Sequence, residues 1–225
     1  MPQELGGQNL HTQTNKEGKM KSIALNPALA NVSTIFIYAA MAVYTGAFLT
    51  FVTHLSRLAS EKKKVRTAAT KLERVAIIVL TIGAALHGTG VVLRGIAASR
   101  VPWANMYEFS ITGSFVVMTI FLVALAIKDI RLLATFVSGF VLLILGSATA
   151  IFYVEVKSLM PALQSYWLVI HVTVAILATA FFNIAAALSI AYIFKTAKWV
   201  EKSKLKIVGT MRRILALFPS IEKIE

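Results

Sequence analysis

Few side chains in this chain could do chemistry, and their spacing is informative. Histidines stand at His11, His54, His87 and His171. Two of them, His87 and His171, fall inside long apolar runs, where an ionisable group is costly and usually functional. His171 closes the stretch Gln164-Ser165-Tyr166-Trp167-Leu168-Val169-Ile170-His171. Two aromatics of the kind found at membrane interfaces precede three apolar residues and then the imidazole. In a helix that starts at Tyr166, His171 lies ~7 Å below the start. Ala175 and Ala178 follow on its face at helical spacing. That leaves room for a bulky planar ligand or for close helix contact.

His87 lies near the middle of its own run. Gly83, His87, Gly90 and Arg94 are spaced by four, three and four, so one helical face carries them all. Small residues beside a buried histidine let another helix or a flat ligand approach. Two readings of His87 stay open, a histidine hydrogen-bonded to a neighbouring helix and a ligand. Arg94 either snorkels to the surface or meets an anionic group. His54, beside Arg57, reads as a head-group histidine, and His11 reads as solvated. Neutral imidazole among aromatic and small apolar residues is a good axial ligand to iron.

Other chemistries are excluded by absence from the sequence. With no cysteine, the chain forms no disulfide and no thiolate metal site, and it runs no thiol exchange. It carries no P-loop, no Gly-x-Gly-x-x-Gly fingerprint and no His-Glu-x-x-His. No apolar run holds a pair of carboxylates, which a proton-driven transporter would ordinarily use. A small transport or channel protein is the alternative reading, but neither an intramembrane acid nor a broken helix pair supports it.

The elements that must position these residues are apolar helices. Of 225 residues, 57% are hydrophobic and 15% charged, which fits several membrane spans rather than a soluble domain. The net charge of +13 sits between the apolar runs. It marks positive-inside topology rather than a nucleic-acid partner. The expected class is all-α, a polytopic bundle of about five transmembrane helices with the N-terminus outside and the C-terminus cytoplasmic. Residues 1–31 read as a disordered polar tail, 32–194 as the bundle and 195–225 as a basic cytoplasmic tail. The spans are expected near Thr34–Leu55, Val75–Ala98, Ile111–Ile127, Leu132–Tyr153 and Tyr166–Phe194. The basic stretch Arg57–Arg74 and the hairpin Lys128–Arg131 would be cytoplasmic loops. Gly139 and Gly146 would allow close packing of the fourth span. On the outer side, Asn105 or Ser110 would cap the third helix, with Glu108 in its first turn. Within the C-terminal tail, Ile207–Phe218 would lie along the inner surface.

Two segments resemble a known family. Arg94 to Glu108 (RGIAASRVPWANMYE) and Leu163 to Val172 (LQSYWLVIHV) look like the cytochrome c assembly membrane proteins, the haem-handling proteins of the system II cytochrome c synthase (CcsA/ResC type). The matching residues are Arg94, Pro102, Asn105, Tyr107 and Glu108 in an outer-loop motif, then Leu163, Gln164, Ser165, Tyr166, Trp167 and His171. The resemblance implies that His171 is one of two outer histidines that ligate haem iron. Tyr166, Trp167, His87 and Arg94 are the further candidates for holding b-type haem in transit. It also implies work within a haem-attaching complex, with the other synthase subunit, apocytochrome c and membrane lipid as partners. The substrate's Cys-x-x-Cys-His motif would supply the thiols. The implied location is the plasma membrane, or the thylakoid membrane for a plastid or cyanobacterial chain. Family members continue with a tryptophan-rich segment, a second outer histidine and another intramembrane histidine. This sequence ends before them, so it is expected to carry half of a bis-histidine site, as a split or truncated product or a non-catalytic scaffold fragment.

Overall fold

A computed structural model describes residues 25–58, 63–128, 130–157 and 165–196, with side chains left out at 56–71, 132, 191 and 194–196. Of the expected tails over 1–31 and 195–225, residues 1–24 and 197–225 lie outside the described residues, as do the motif residues Leu163 and Gln164. The described chain is all helical. It comprises α1 (Pro27–Leu58), α2 (Lys63–Ala98), α3 (Met106–Ile127), a single 3-10 turn (Arg131–Leu133), α4 (Ala134–Ala150) and α5 (Tyr166–Thr196). Apolar segments long enough to cross a membrane cover Pro27–Leu55, Leu72–Ala98, Met106–Ile127 and Tyr166–Ile190. The 17 residues of α4 make it shorter than the ~20 that a span usually needs. The chain is a polytopic membrane helix bundle, as its composition implies.

Helix boundaries depart from expectation where polar groups find local partners. The first helix opens at Pro27, ahead of the boundary expected near residue 31. Asn26 accepts the Leu29 amide through Oδ1 at 3.0 Å, and proline suits a first helical position because its missing N–H has no partner there. The basic stretch Arg57–Arg74 is not an extended loop. α1 runs to Leu58 and α2 begins at Lys63, because lysine, arginine and alanine are good helix formers and the helices continue past their apolar parts. α3 opens at Met106, not Ile111. Asn105 provides the cap, accepting the Glu108 amide at 2.8 Å. α4 stops at Ala150, ahead of the expected Tyr153. The chain beyond it leaves the helix and spends its polar groups elsewhere.

The core lies between α1 and α2, with α3 and α4 completing it. Ile37, Tyr44, Phe51, Leu80, Ile111, Met118, Phe121, Leu133 and Leu145 are fully or almost fully buried. Glycines set the close contact of the first two helices. A Cβ on Gly83 would lie 2.7 Å from the Tyr44 ring, and one on Gly90 would lie 2.8 Å from Ile37. A helix, not a planar ligand, therefore occupies the space beside these glycines. Ser33 in α1 also donates to the Gly90 carbonyl at 2.7 Å. A Cβ on Gly139 would lie 3.0 Å from the Phe48 ring, whereas one on Gly146 would meet nothing within 4 Å. The expected glycine contact of α4 is thus made at one position of the two. In the membrane segment of α5 only 11% is buried, against 39% in that of α2, so α5 leans on the bundle with most of its surface uncovered.

A buried polar group ties the opposite, basic end. Glu73 in α2 meets His54 at 3.6 Å and Arg131 at 3.2 Å. His54 is 5% exposed, so it belongs to this cluster rather than to the surface expected for it.

Gly83→Ala should force Tyr44 out of place and lower stability by ~1–3 kcal/mol, the usual cost of overpacking. Gly146→Ala should leave stability unchanged or raise it by up to ~1 kcal/mol through helix propensity. Thermal unfolding of both variants in one detergent checks the contrast.

Candidate functional site

Most of the residues singled out from sequence gather at one end of the bundle, where α1 begins, α2 ends and α3 and α5 begin, while His87 lies deeper, at mid-bundle. They form three separate groups.

The first group is centred on Glu108. Its carboxylate is fully buried in the first turn of α3. Asn105 fixes its backbone as the helix cap. Arg94, also fully buried, donates from Nε to Oε1 at 3.2 Å. Arg100 donates from Nη1 to Oε2 at 2.6 Å and from Nη2 to Oε1 at 3.3 Å. The Ala104 amide donates to Oε2 at 3.1 Å. One carboxylate thus gathers two guanidiniums and a backbone N–H. The first turn of a helix favours that negative charge.

The same arginine reaches a fourth segment of chain. Arg94 Nη2 donates to the Val154 carbonyl at 2.6 Å, and its guanidinium carbon lies 5.0 Å from the centre of the Tyr107 ring. Tyr107 is buried and meets Tyr153 edge-on at 5.2 Å between ring centres. These contacts explain why α4 ends where it does: the chain after Ala150 turns to place Tyr153 and Val154 against the arginine. Pro102 is buried as well. Its ring lies within 3.2 Å of the space above Gly95, and its carbonyl accepts from Thr112 at 2.6 Å. The turn into this loop has Ser99 at a φ of 52°, a left-handed conformation uncommon outside glycine. The outer-loop motif Pro102, Asn105, Tyr107 and Glu108 is therefore a folded polar plug, and Arg94 belongs to it rather than to the surface.

His87 forms the second group. Its Nε2 lies 2.9 Å from the Ile111 carbonyl oxygen. A carbonyl can only accept, so Nε2 carries the proton and Nδ1 is free to accept. The Tyr44 hydroxyl donates to Nδ1 over 3.4 Å, a long bond. Tyr44 and Phe115 flank the ring edge-on, at 5.9 and 5.5 Å. His87 itself is completely buried. Of the two sequence readings, the geometry matches the histidine bonded to neighbouring helices, since both ring nitrogens face protein partners.

His171 belongs to the third group, on α5. It is exposed, as are Tyr166 and Trp167 at 77% and 76%. Trp167 and His171 are four residues apart and share a face. That face points away from the buried side of α5, which carries Ile176, Ala180 and Ala187. Ala175 is half-buried and Ala178 exposed. No residue joins His171 to Arg94 or His87 among the described contacts. Among the described residues, no cluster of three or more His, Cys, Asp and Glu could hold a metal ion.

Sequence reasoning missed Arg100, Tyr44, Phe115 and the Val154 carbonyl. Arg100 had a signal: two bases and one acid flank a single short turn. Tyr44 and Val154 had none, because their partners lie 43 and 60 residues away.

The cytochrome C assembly protein family matches residues 103–224, more than half of the chain. The chain is 30% identical over 186 residues to the cytochrome c biogenesis protein CcsA of Trichodesmium erythraeum, covering 79% of this chain and 47% of that one. No solved structure matches the chain. This chain belongs to the cytochrome c assembly protein family, and it spans about half the length of the curated relative it matches.

Removing one partner of a buried ion pair leaves an uncompensated charge, at a cost of ~3–5 kcal/mol. Glu108→Ala should therefore lower stability by about that much. The double variant Glu108→Ala with Arg94→Met should recover part of the loss. A double-mutant cycle on thermal unfolding in detergent gives the coupling.

Proposed function

We propose that this chain is a membrane component of cytochrome c biogenesis that binds haem as a substrate in transit and presents it for covalent attachment to apocytochrome c. The observation that carries this reading is His171, an imidazole exposed on an apolar helix beside Trp167. A histidine on the lipid-facing side of a span is costly unless it has a partner, and this one has no ring partner among the described residues.

The residues fit the ligand in a limited way. His171 would supply one axial ligand to iron, and exposed Trp167 and Tyr166 would flank the ring system with apolar, aromatic surface. Tyr166 and Trp167 are exposed, so no described residue covers this surface. The reading therefore includes a partner surface, from the other synthase subunit or from chain equivalent to the rest of the longer relative. When bound, haem supplies the vinyl groups that become thioethers with the thiols of apocytochrome c. The protein's own part is to hold and orient it. His87 serves the bundle in this reading: its ring nitrogens are spent on Ile111 and Tyr44. Arg94 and Glu108 hold the loop that sets the position of the site. The proposed topology puts this end outside, in the plasma membrane or, for a cyanobacterial or plastid chain, the thylakoid membrane. The basic helix ends then face the cytoplasm or stroma.

With haem supplied to the purified protein and its synthase partner, wild type should show a Soret band. His171→Ala should shift or abolish the band, with imidazole added to the medium restoring it. His87→Gln should leave the Soret position unchanged while lowering the unfolding temperature. A wild-type complex that never acquires a Soret band sinks the haem reading. A band that His87→Gln alters and His171→Ala does not would move the ligand to α2.

A further inference from the structure

A groove of about 290 Å³ lies between the loop after α2 and the first turns of α5. Arg100, Val101, Trp103, Ala104, Leu168, Val169 and Val172 line it. Six of the seven are apolar, and the seventh is a cation. Its place in the fold is the end of the spans, where Trp103, Tyr166 and Trp167 supply aromatic residues of the interfacial kind.

Charge at this groove is unbalanced. Two guanidiniums, Arg94 and Arg100, share the single carboxylate of Glu108. Arg94 Nη1 and Arg100 Nε are buried with no hydrogen-bond acceptor among the described residues. Two of Arg100's other bonds are long, 3.3 Å to the Val101 carbonyl and 3.4 Å to the Lys157 carbonyl. A buried donor without a partner carries a desolvation penalty, so this cluster lacks acceptors, and its two guanidiniums against one carboxylate favour an anion. Guanidinium suits a phosphate oxygen because its N–H groups form a fork.

We propose that the groove is a binding site for one anionic phospholipid, its phosphate on Arg100 and part of one acyl chain along Val101, Ala104, Leu168 and Val172. The apolar lining and the guanidinium at its edge match the two halves of such a lipid at interfacial depth. The groove is at the small end of the range for ligand sites, which suits a single chain better than a macrocycle. His171 is not among its lining residues, so this site is separate from the haem surface proposed on α5 and does not depend on that reading. A lipid held here would wedge between the loop and the sparsely packed start of α5.

The test uses the full chain in micelles containing equal phosphatidylglycerol and phosphatidylcholine, read by native mass spectrometry. Wild type should retain one phosphatidylglycerol, about tenfold in preference to phosphatidylcholine, as one charge-assisted contact implies. Arg100→Gln should erase the preference. Ala104→Trp fills the groove while keeping the backbone amide that donates to Glu108, and should erase retention, with helical circular dichroism confirming that it folds. Equal retention of both lipids, or undiminished retention by a folded Ala104→Trp protein, overturns the proposal. So does loss of the bound lipid in inorganic phosphate, which would make the site one for a soluble anion. Stoichiometric displacement by haemin would assign the groove to haem and overturn it as well.

Discussion

The buried carboxylate of Glu108 is the constraint on which one end of this molecule depends. A charge taken out of water needs compensation close at hand. Here compensation comes from three directions: Arg94 from the last turns of α2, Arg100 from the loop, and the Ala104 amide from the approach to α3. Because Arg94 also binds the Val154 carbonyl, the same network fixes the chain leaving α4. Loop, two helix ends and the next connection are held by one set of charge-assisted hydrogen bonds. In a bundle where apolar packing discriminates weakly between helix faces and lipid, such a network provides registry that hydrophobic burial does not.

The rest of the bundle solves a similar problem by other means. α1 and α2 approach closely because Gly83 and Gly90 admit Tyr44 and Ile37. That approach lets Tyr44 reach His87, whose other nitrogen is already bonded to Ile111 of α3. Three helices thus share one imidazole at mid-bundle. At the basic end, Glu73 collects His54 and Arg131 and joins α1, α2 and the turn before α4. Polar groups inside the bundle therefore occur at three levels, each linking elements distant in sequence. α5 stands in contrast to these three levels. Its polar candidate, His171, has no such network among the described residues and faces away from the core.

How much of the site was legible varied with the range of the interactions. The Asn105 cap and the Glu108 first-turn position follow from local chemistry, and both are present. The five helices follow from apolar runs separated by charges. Their ends were harder to place. α2 begins well before its apolar segment, since lysine and arginine end a membrane span without ending a helix. α4 stops early because Val154 and Tyr153 are recruited by residues far away in the chain. The pattern Gly83, His87, Gly90, Arg94 was visible as one face, but its three residue types met different fates: the glycines admit α1, His87 bonds to Ile111, and Arg94 joins Glu108.

The sequence by itself determined the class of molecule, a polytopic bundle of apolar helices. It also determined the two motifs that place the chain in the cytochrome c assembly family, since composition, periodicity and local capping are properties of neighbouring residues. Only the tertiary structure decided what the polar residues meet. It turned His87 inward against Tyr44 and Ile111, joined Arg94 and Arg100 to one carboxylate, and left His171 on the uncovered face of α5. The physical reason is that hydrogen bonds and ion pairs are short-ranged in space but not in sequence. Their partners are chosen by how the helices pack, which no single stretch of the chain specifies.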